Sequence, residues 1–285
     1  MGMTNDTRPG MRTADVLAVA ALGLAAVASI AGIAVSGLYR DSAEAIRQAR
    51  ATDLVTLFLA VPLLALGLRR ARAGSLGGRA VVIGTLGYVA YSYAIYAFSV
   101  VINLMTPVHI AILGCAAWGL MLMVFRFDAS TLGGLQVIHL PRRATGGYLV
   151  TVAALFGLLW LGQIAGAITS GVLPPSISDL GLPTSPVYTL DLAFAVPLLM
   201  LAGSWLIRSD QRGPVSAAAA LMFIVSMGAS VLAIFVVDGM AGATVEAPPV
   251  VIFGVVTGIA ASLAVIGMRS THSVAVFRQL PLGIG

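Results

Sequence analysis

Eight apolar runs, each near the roughly twenty residues a helix needs to cross the hydrocarbon core of a bilayer, constrain this chain more than any single residue does. They lie at about 14–38, 53–69, 80–102, 107–125, 147–172, 187–207, 215–237 and 249–268. In hydrocarbon every backbone N–H and C=O must be satisfied within the chain, so runs of this length predict helices. The expected fold class is an all-α integral membrane protein with eight transmembrane helices and the lipid bilayer as its first partner. Composition agrees: only 9% of the 285 residues are charged, against roughly 25% in soluble domains. The first run follows Arg8 and Arg12 and is rich in small residues, as a cleaved signal peptide would be. Its length and the duplication described below predict that it is retained.

Charge predicts the orientation. All sixteen basic residues are arginines, clustered between the apolar runs. With a cytoplasmic N-terminus, thirteen of them lie inside and only Arg40, Arg47 and Arg50 outside, the bias that positive-inside topology requires. The reading is a multipass protein of the cell membrane with both termini cytoplasmic. The outer side then carries Asp41, Glu44, Asp53, Asp179, Asp191, Asp238 and Glu246, seven acids against three arginines, a net charge of −4. The arginines are topology signals and predict no nucleic-acid partner.

Several chemistries are excluded by what is missing. Without lysine there is no Schiff base to retinal or pyridoxal. Cys115 is the only cysteine, which rules out an intrachain disulfide, a CxxC redox pair and a cysteine-ligated cluster. Of the three histidines only His109 adjoins an apolar run, so a bis-histidine haem is not expected, and nothing has metal-ligand spacing. No nucleotide loop, GxSxG elbow, HExxH or dinucleotide fingerprint occurs. No particular cofactor follows.

Compared with itself, the chain shows two halves. Gly23, Leu24, Ile30, Ala31, Gly32, Ser36 and Gly37 match Gly157, Leu158, Ile164, Ala165, Gly166, Ser170 and Gly171 at a constant offset of 134. Leu57, Ala60, Val61, Pro62, Leu63, Leu64 and Leu66 match Leu192, Ala195, Val196, Pro197, Leu198, Leu199 and Leu201 at an offset of 135. These blocks predict a four-helix repeat over 1–126, a cytoplasmic linker over 127–146, a second four-helix repeat over 147–270 and a cytoplasmic tail over 271–285. An even helix count per half makes the repeats parallel, related by an axis along the membrane normal. The ridges Ala28, Gly32, Ser36 and Gly162, Gly166, Ser170 follow the small-xxx-small pattern of close helix packing and are expected where the halves meet.

Asp191 is the sharpest candidate for chemistry. Ser185 and Pro186 read as cap and first helical residue, which puts Asp191 about five residues inside an apolar helix. An ionised Asp at a helix centre costs roughly 2.5–3.5 kcal/mol, so such residues mark function by default; the plainer reading is a carboxylate held by the helix N-terminal dipole. Asp53, at the expected outer start of the second helix, reads as a cap, with Thr52 as the alternative. His109 follows Thr106 and Pro107 and reads as an interfacial residue of the fourth helix. With Asn103 and Tyr96 of the third segment and Gln163 of the fifth, these residues would form an outward-open polar pocket if they converge. The other tyrosines of the third helix, Tyr88, Tyr91 and Tyr93, read as packing residues whose hydroxyls bond between helices. Pro62 and Pro197 are paired by the repeat and predict matching kinks. Asp238 and Glu246 are expected in a solvated outer loop.

The stretches GLPTSPVYTLDLAF, Gly181 to Phe194, and GLYRD, Gly37 to Asp41, resemble a family of multipass membrane proteins from bacteria that has no assigned activity. The resemblance implies the membrane class and carries over no catalytic residue. Three functional classes stay open at this point. The first is binding or transport of a small molecule through the outward pocket, which would make the chain no enzyme. The second is a membrane-embedded enzyme acting on a lipid or quinone through Asp53, Asp191 and His109, and the third a non-catalytic scaffold or partner subunit.

Overall fold

The computed structural model describes residues 9–125, 138 and 140–270, and its eight long helices are all apolar and long enough to cross a membrane. We label them α1 (Pro9–Ala34), α2 (Ala43–Arg72), α3 (Leu76–Ser99), α4 (Thr106–Phe125), α5 (Arg142–Ser170), α6 (Pro186–Ile207), α7 (Gly213–Met240) and α8 (Ala247–Ser270). One further helical turn, Pro175–Ser178, lies between α5 and α6. Most of the expected 127–146 linker and the whole 271–285 tail lie outside the described residues.

Helix ends follow local chemistry rather than hydropathy. Ser42, Ser75 and Ser185 each accept a hydrogen bond from the backbone N–H three residues on, the N-cap arrangement that satisfies an orphan donor. Past the C-termini of α2 and α5 the chain turns through Gly74 and Gly171 at positive φ, where a Cβ would strain the backbone. The start of α2 corrects the sequence reading. The helix begins at Ala43, ten residues before the apolar run, because Ala43–Asp53 is built of good helix formers behind the Ser42 cap, with Glu44 in the first turn. Asp53 and Thr52 are therefore not caps; both lie in the third turn of a helix. Asp238 is also relocated. It belongs to the last turn of α7, not to a loop, and pairs with Arg47 of α2 at 2.5 Å. Glu246 is exposed just before α8, as expected.

Two apolar cores result. One is built from α1 to α4 around Ala21, Ala25, Leu64, Leu86 and Ile112. The other joins α5 to α8 around Leu149, Leu206 and Leu221, and Phe223 borders both. The halves meet along α3 and α7, whose backbones come so close at Gly84 that a Cβ there would collide with the Ala219 carbonyl. These two positions are 135 apart in the chain, the offset of the repeated proline motif. The seam is thus not where the sequence placed it. Of the expected ridges, Ala28 and Gly32 pack within the first half, whereas Gly162 and Gly166 have nothing within 4 Å of a built Cβ and face outward.

Pro62 and Pro197 sit at equivalent places in their helices. Each follows a five-residue π-helical segment, Thr56–Ala60 and Asp191–Ala195, again 135 apart. Proline lacks an N–H and crowds the preceding turn, and a widened turn relieves that conflict. In both segments the residue before the proline reaches five residues back, Val61 N–H to Thr56 O and Val196 N–H to Asp191 O. Thr56 and Asp191 open these turns and hold the same place in each.

Candidate functional site

Near these turns the two halves carry two separate polar clusters. In the first half, Asp53 of α2 is 1% exposed and accepts hydrogen bonds from Tyr39 Oη at 2.6 Å and Tyr96 Oη at 3.1 Å. The Tyr96 hydroxyl, with one proton to give, also lies 2.7 Å from the Ala49 carbonyl. Gly32 of α1 makes the space, since a Cβ there would fall on the Asp53 carboxylate and the Tyr39 hydroxyl. Burial pushes the Tyr39 phenol, which sits in the α1–α2 connection, well above its ordinary pKa, and the Asp53 carboxylate beside it pushes the same way.

His109 of α4 closes this cluster. Its ring packs at 4.9 Å from Tyr96 and 5.7 Å from Tyr93, measured between centroids. It is 1% exposed, so the interfacial reading is corrected: the α1–α4 packing draws the first turn of α4 inward. Its Nε2 is buried with no hydrogen-bond partner. One layer further into the helices, Tyr88 Oη bridges Thr56 Oγ1 at 3.1 Å and Ser230 Oγ at 2.9 Å, tying α2, α3 and α7 together.

In the second half, Asp191 opens the π-turn of α6 and is half-buried. Its Oδ1 accepts from Tyr91 Oη of α3 at 2.9 Å and its Oδ2 from Trp160 Nε1 of α5 at 2.6 Å. The indole stacks on Tyr188, ring centroids 4.6 Å apart, and the Tyr188 hydroxyl lies 3.2 Å from Ser176 Oγ in the turn before α6. Phe223 meets Tyr91 edge-on, and a run of rings, Phe156, Phe253 and Phe235, continues across α5, α8 and α7.

The expected pocket therefore divides. Asp53, Tyr96 and His109 do converge, but in a sealed site. Asp191 stands apart from them, on different partners. Asn103 shapes the α3–α4 turn, its Oδ1 accepting from Met105 N at 2.8 Å and its amide donating to the Val101 carbonyl at 3.1 Å. Gln163 is exposed on α5 in an open groove of about 550 Å³ that runs from Leu158 to Pro175. Tyr88, Tyr91, Tyr93 and Tyr96 are all buried with their hydroxyls engaged. The residues the sequence did not single out are Trp160, Tyr39 and Ser230. Tyr39 lies within the GLYRD stretch, and Trp160, three residues before Gln163, is a polar-edged ring in an apolar run; either feature could have drawn attention to them.

Among the described residues no group of three His, Cys, Asp or Glu side chains is placed to hold a metal ion. Both carboxylates are met by neutral donors only, and neither has an arginine partner among the described residues. No protein-family model, curated protein or solved structure matches this chain.

Proposed function

We propose that this chain is an integral membrane protein of two parallel four-helix repeats, inserted in the cell membrane with both termini inside, that binds and moves a small molecule through a polar site centred on Asp191. The bacterial multipass family resembled by Gly181–Phe194 is its proposed kinship. The observation that carries the reading is the state of Asp191: a half-buried carboxylate, inside a helix of membrane-spanning length, held by two neutral donors and no cation. An isolated charge is costly at such a place, and structures keep it where a pathway or ligand uses it. The matching π-turns ahead of Pro62 and Pro197 support the duplication, and the thirteen-to-three arginine bias supports the orientation.

An enzyme on a lipid or quinone would need Asp53, His109 and Asp191 around one cleft. Asp191 shares no hydrogen-bond partner with Asp53, and Asp53 and His109 are sealed from solvent. The transport reading therefore has the stronger support. Wild-type protein in native lipid discs, examined by mass spectrometry, is expected to retain a non-lipid small molecule that folded Asp191→Asn protein lacks. Equal retention by the two, or none by the wild type, would count against the site.

A further inference from the structure

We infer that the ligand of the Asp191 site is an organic cation with an apolar, ring-sized body; this rests on the reading of Asp191 as a binding site and names what it takes. The charge argument comes first. Asp191 is the only charged residue in Pro186–Ile207, and the neighbouring helices bring no other charge to its level. On α3 the charged residue is Arg79, twelve positions from Tyr91, and on α5 they are Arg142 and Arg143, at least seventeen positions from Trp160. On α7 it is Asp238, already paired with Arg47. A carboxylate so placed repels an anion and leaves a neutral ligand without a reason for the charge. Each oxygen receives one neutral hydrogen bond and keeps lone-pair capacity for a cation.

The surroundings choose between kinds of cation. A small metal ion asks for about six or more oxygen ligands, and this site offers one carboxylate among rings. The rings nearest the carboxylate are Tyr91 and Trp160, which bond it, with Phe223 packed on Tyr91, and Tyr188 and Phe156 packed on Trp160. Trp160 stacks on Tyr188, lies tilted against Phe156 and turns its N–H edge to the carboxylate. Charge recognition therefore falls on Asp191 itself, while the rings supply apolar contact to the ligand body.

Access is in keeping with this. Helices α1 and α4 pack closely in the first half, but their counterparts α5 and α8 meet chiefly through long side chains, Tyr148 donating to the Val256 carbonyl at 2.7 Å and Phe156 touching Phe253. The open groove on α5 ends at Pro174 and Pro175, beside Ser176, which contacts the ring stacked on Trp160. It carries Gln163 and Ser170, polar groups with no positive charge.

The test compares three probes of similar shape by calorimetry on wild-type protein in lipid discs, with empty discs subtracted: tetraphenylphosphonium, tetraphenylborate and neutral triphenylphosphine oxide. Saturable one-to-one binding of the phosphonium alone is expected. Asp191→Asn should weaken it by about tenfold or more, as loss of one member of a desolvated charge pair does, and Asp191→Glu should recover part of it. Phe223→Ala, which leaves the carboxylate and both its donors in place, should weaken it by about threefold to tenfold through lost apolar contact. If tetraphenylborate or the phosphine oxide binds as well as the phosphonium, the cation class is overturned while the site stands. If no probe binds but the wild type still retains an Asp191-dependent molecule, the class is again overturned alone. If neither is seen, both readings fall. The comparison of phosphonium with borate on wild-type protein needs no variant, so it decides the class even if Asp191→Asn does not fold.

Discussion

The two halves place an acid near the same end of the same helix pair and treat it in opposite ways. In the first half Asp53 is walled in by Tyr39, Tyr96, His109 and the bare face of Gly32. In the second, Asp191 stands one helical turn deeper, half-buried, held by a phenol and an indole at the edge of a looser bundle. Position 53 aligns with Tyr188 and position 191 with Thr56, so the carboxylates are not copies of one another. A buried polar group stabilises a fold only when its partners are complete, and Asp53 has them. The difference teaches that the same helix of each half can carry an acid fully enclosed by its partners or leave it half-exposed.

That contrast is sharpest at the glycines. Gly32 and Gly166 are equivalent at an offset of 134, yet a Cβ at Gly32 collides with Asp53 and Tyr39, while one at Gly166 meets nothing. Gly32→Ala is expected to cost about 3 kcal/mol and Gly166→Ala close to nothing, read as thermal midpoints in one detergent. Equal effects would erase the packing distinction between the two halves.

The acids themselves give the next effect. Asp53→Asn should destabilise by about 2 kcal/mol, because the amide turns a donor toward one of two phenols that already donate. The half-exposed Asp191 should be far more tolerant in stability and intolerant in binding. The Tyr39 phenol adds a pH signature. Its folded pKa is raised, so its contribution is complete below the unfolded value of about 10 and is lost as pH rises beyond it, by up to about 1.4 kcal/mol per pH unit. Tyr39→Phe should flatten the alkaline limb of a stability–pH curve; an unchanged limb would place the titration elsewhere.

The smallest effect tests the tie between the halves. Tyr88→Phe breaks the bridge from Thr56 to Ser230 and should cost about 1 kcal/mol, the scale of hydrogen bonds between membrane helices. A double-mutant cycle with Ser230→Ala should recover most of that cost as coupling.

Much of this was written in the order of the residues. Eight apolar runs determined eight helices, since hydrocarbon-length apolarity leaves the backbone no other way to satisfy itself. Ser185 and Pro186 announced the start of α6, and the Val-Pro-Leu-Leu stretches marked the two places where the helix widens into a π-turn, because caps and prolines act within a turn of where they stand. The start of α2 at Ala43 was legible in helix propensity and was hidden by reading hydropathy alone. What only the tertiary structure decided is which polar groups meet. Tyr91 and Trp160 are 100 and 31 residues from Asp191, and Arg47 is 191 from Asp238; no local rule brings them together. Helical periodicity gives a face but not the neighbour across it, and packing of whole helices chose a sealed partner set for Asp53 and an open one for Asp191.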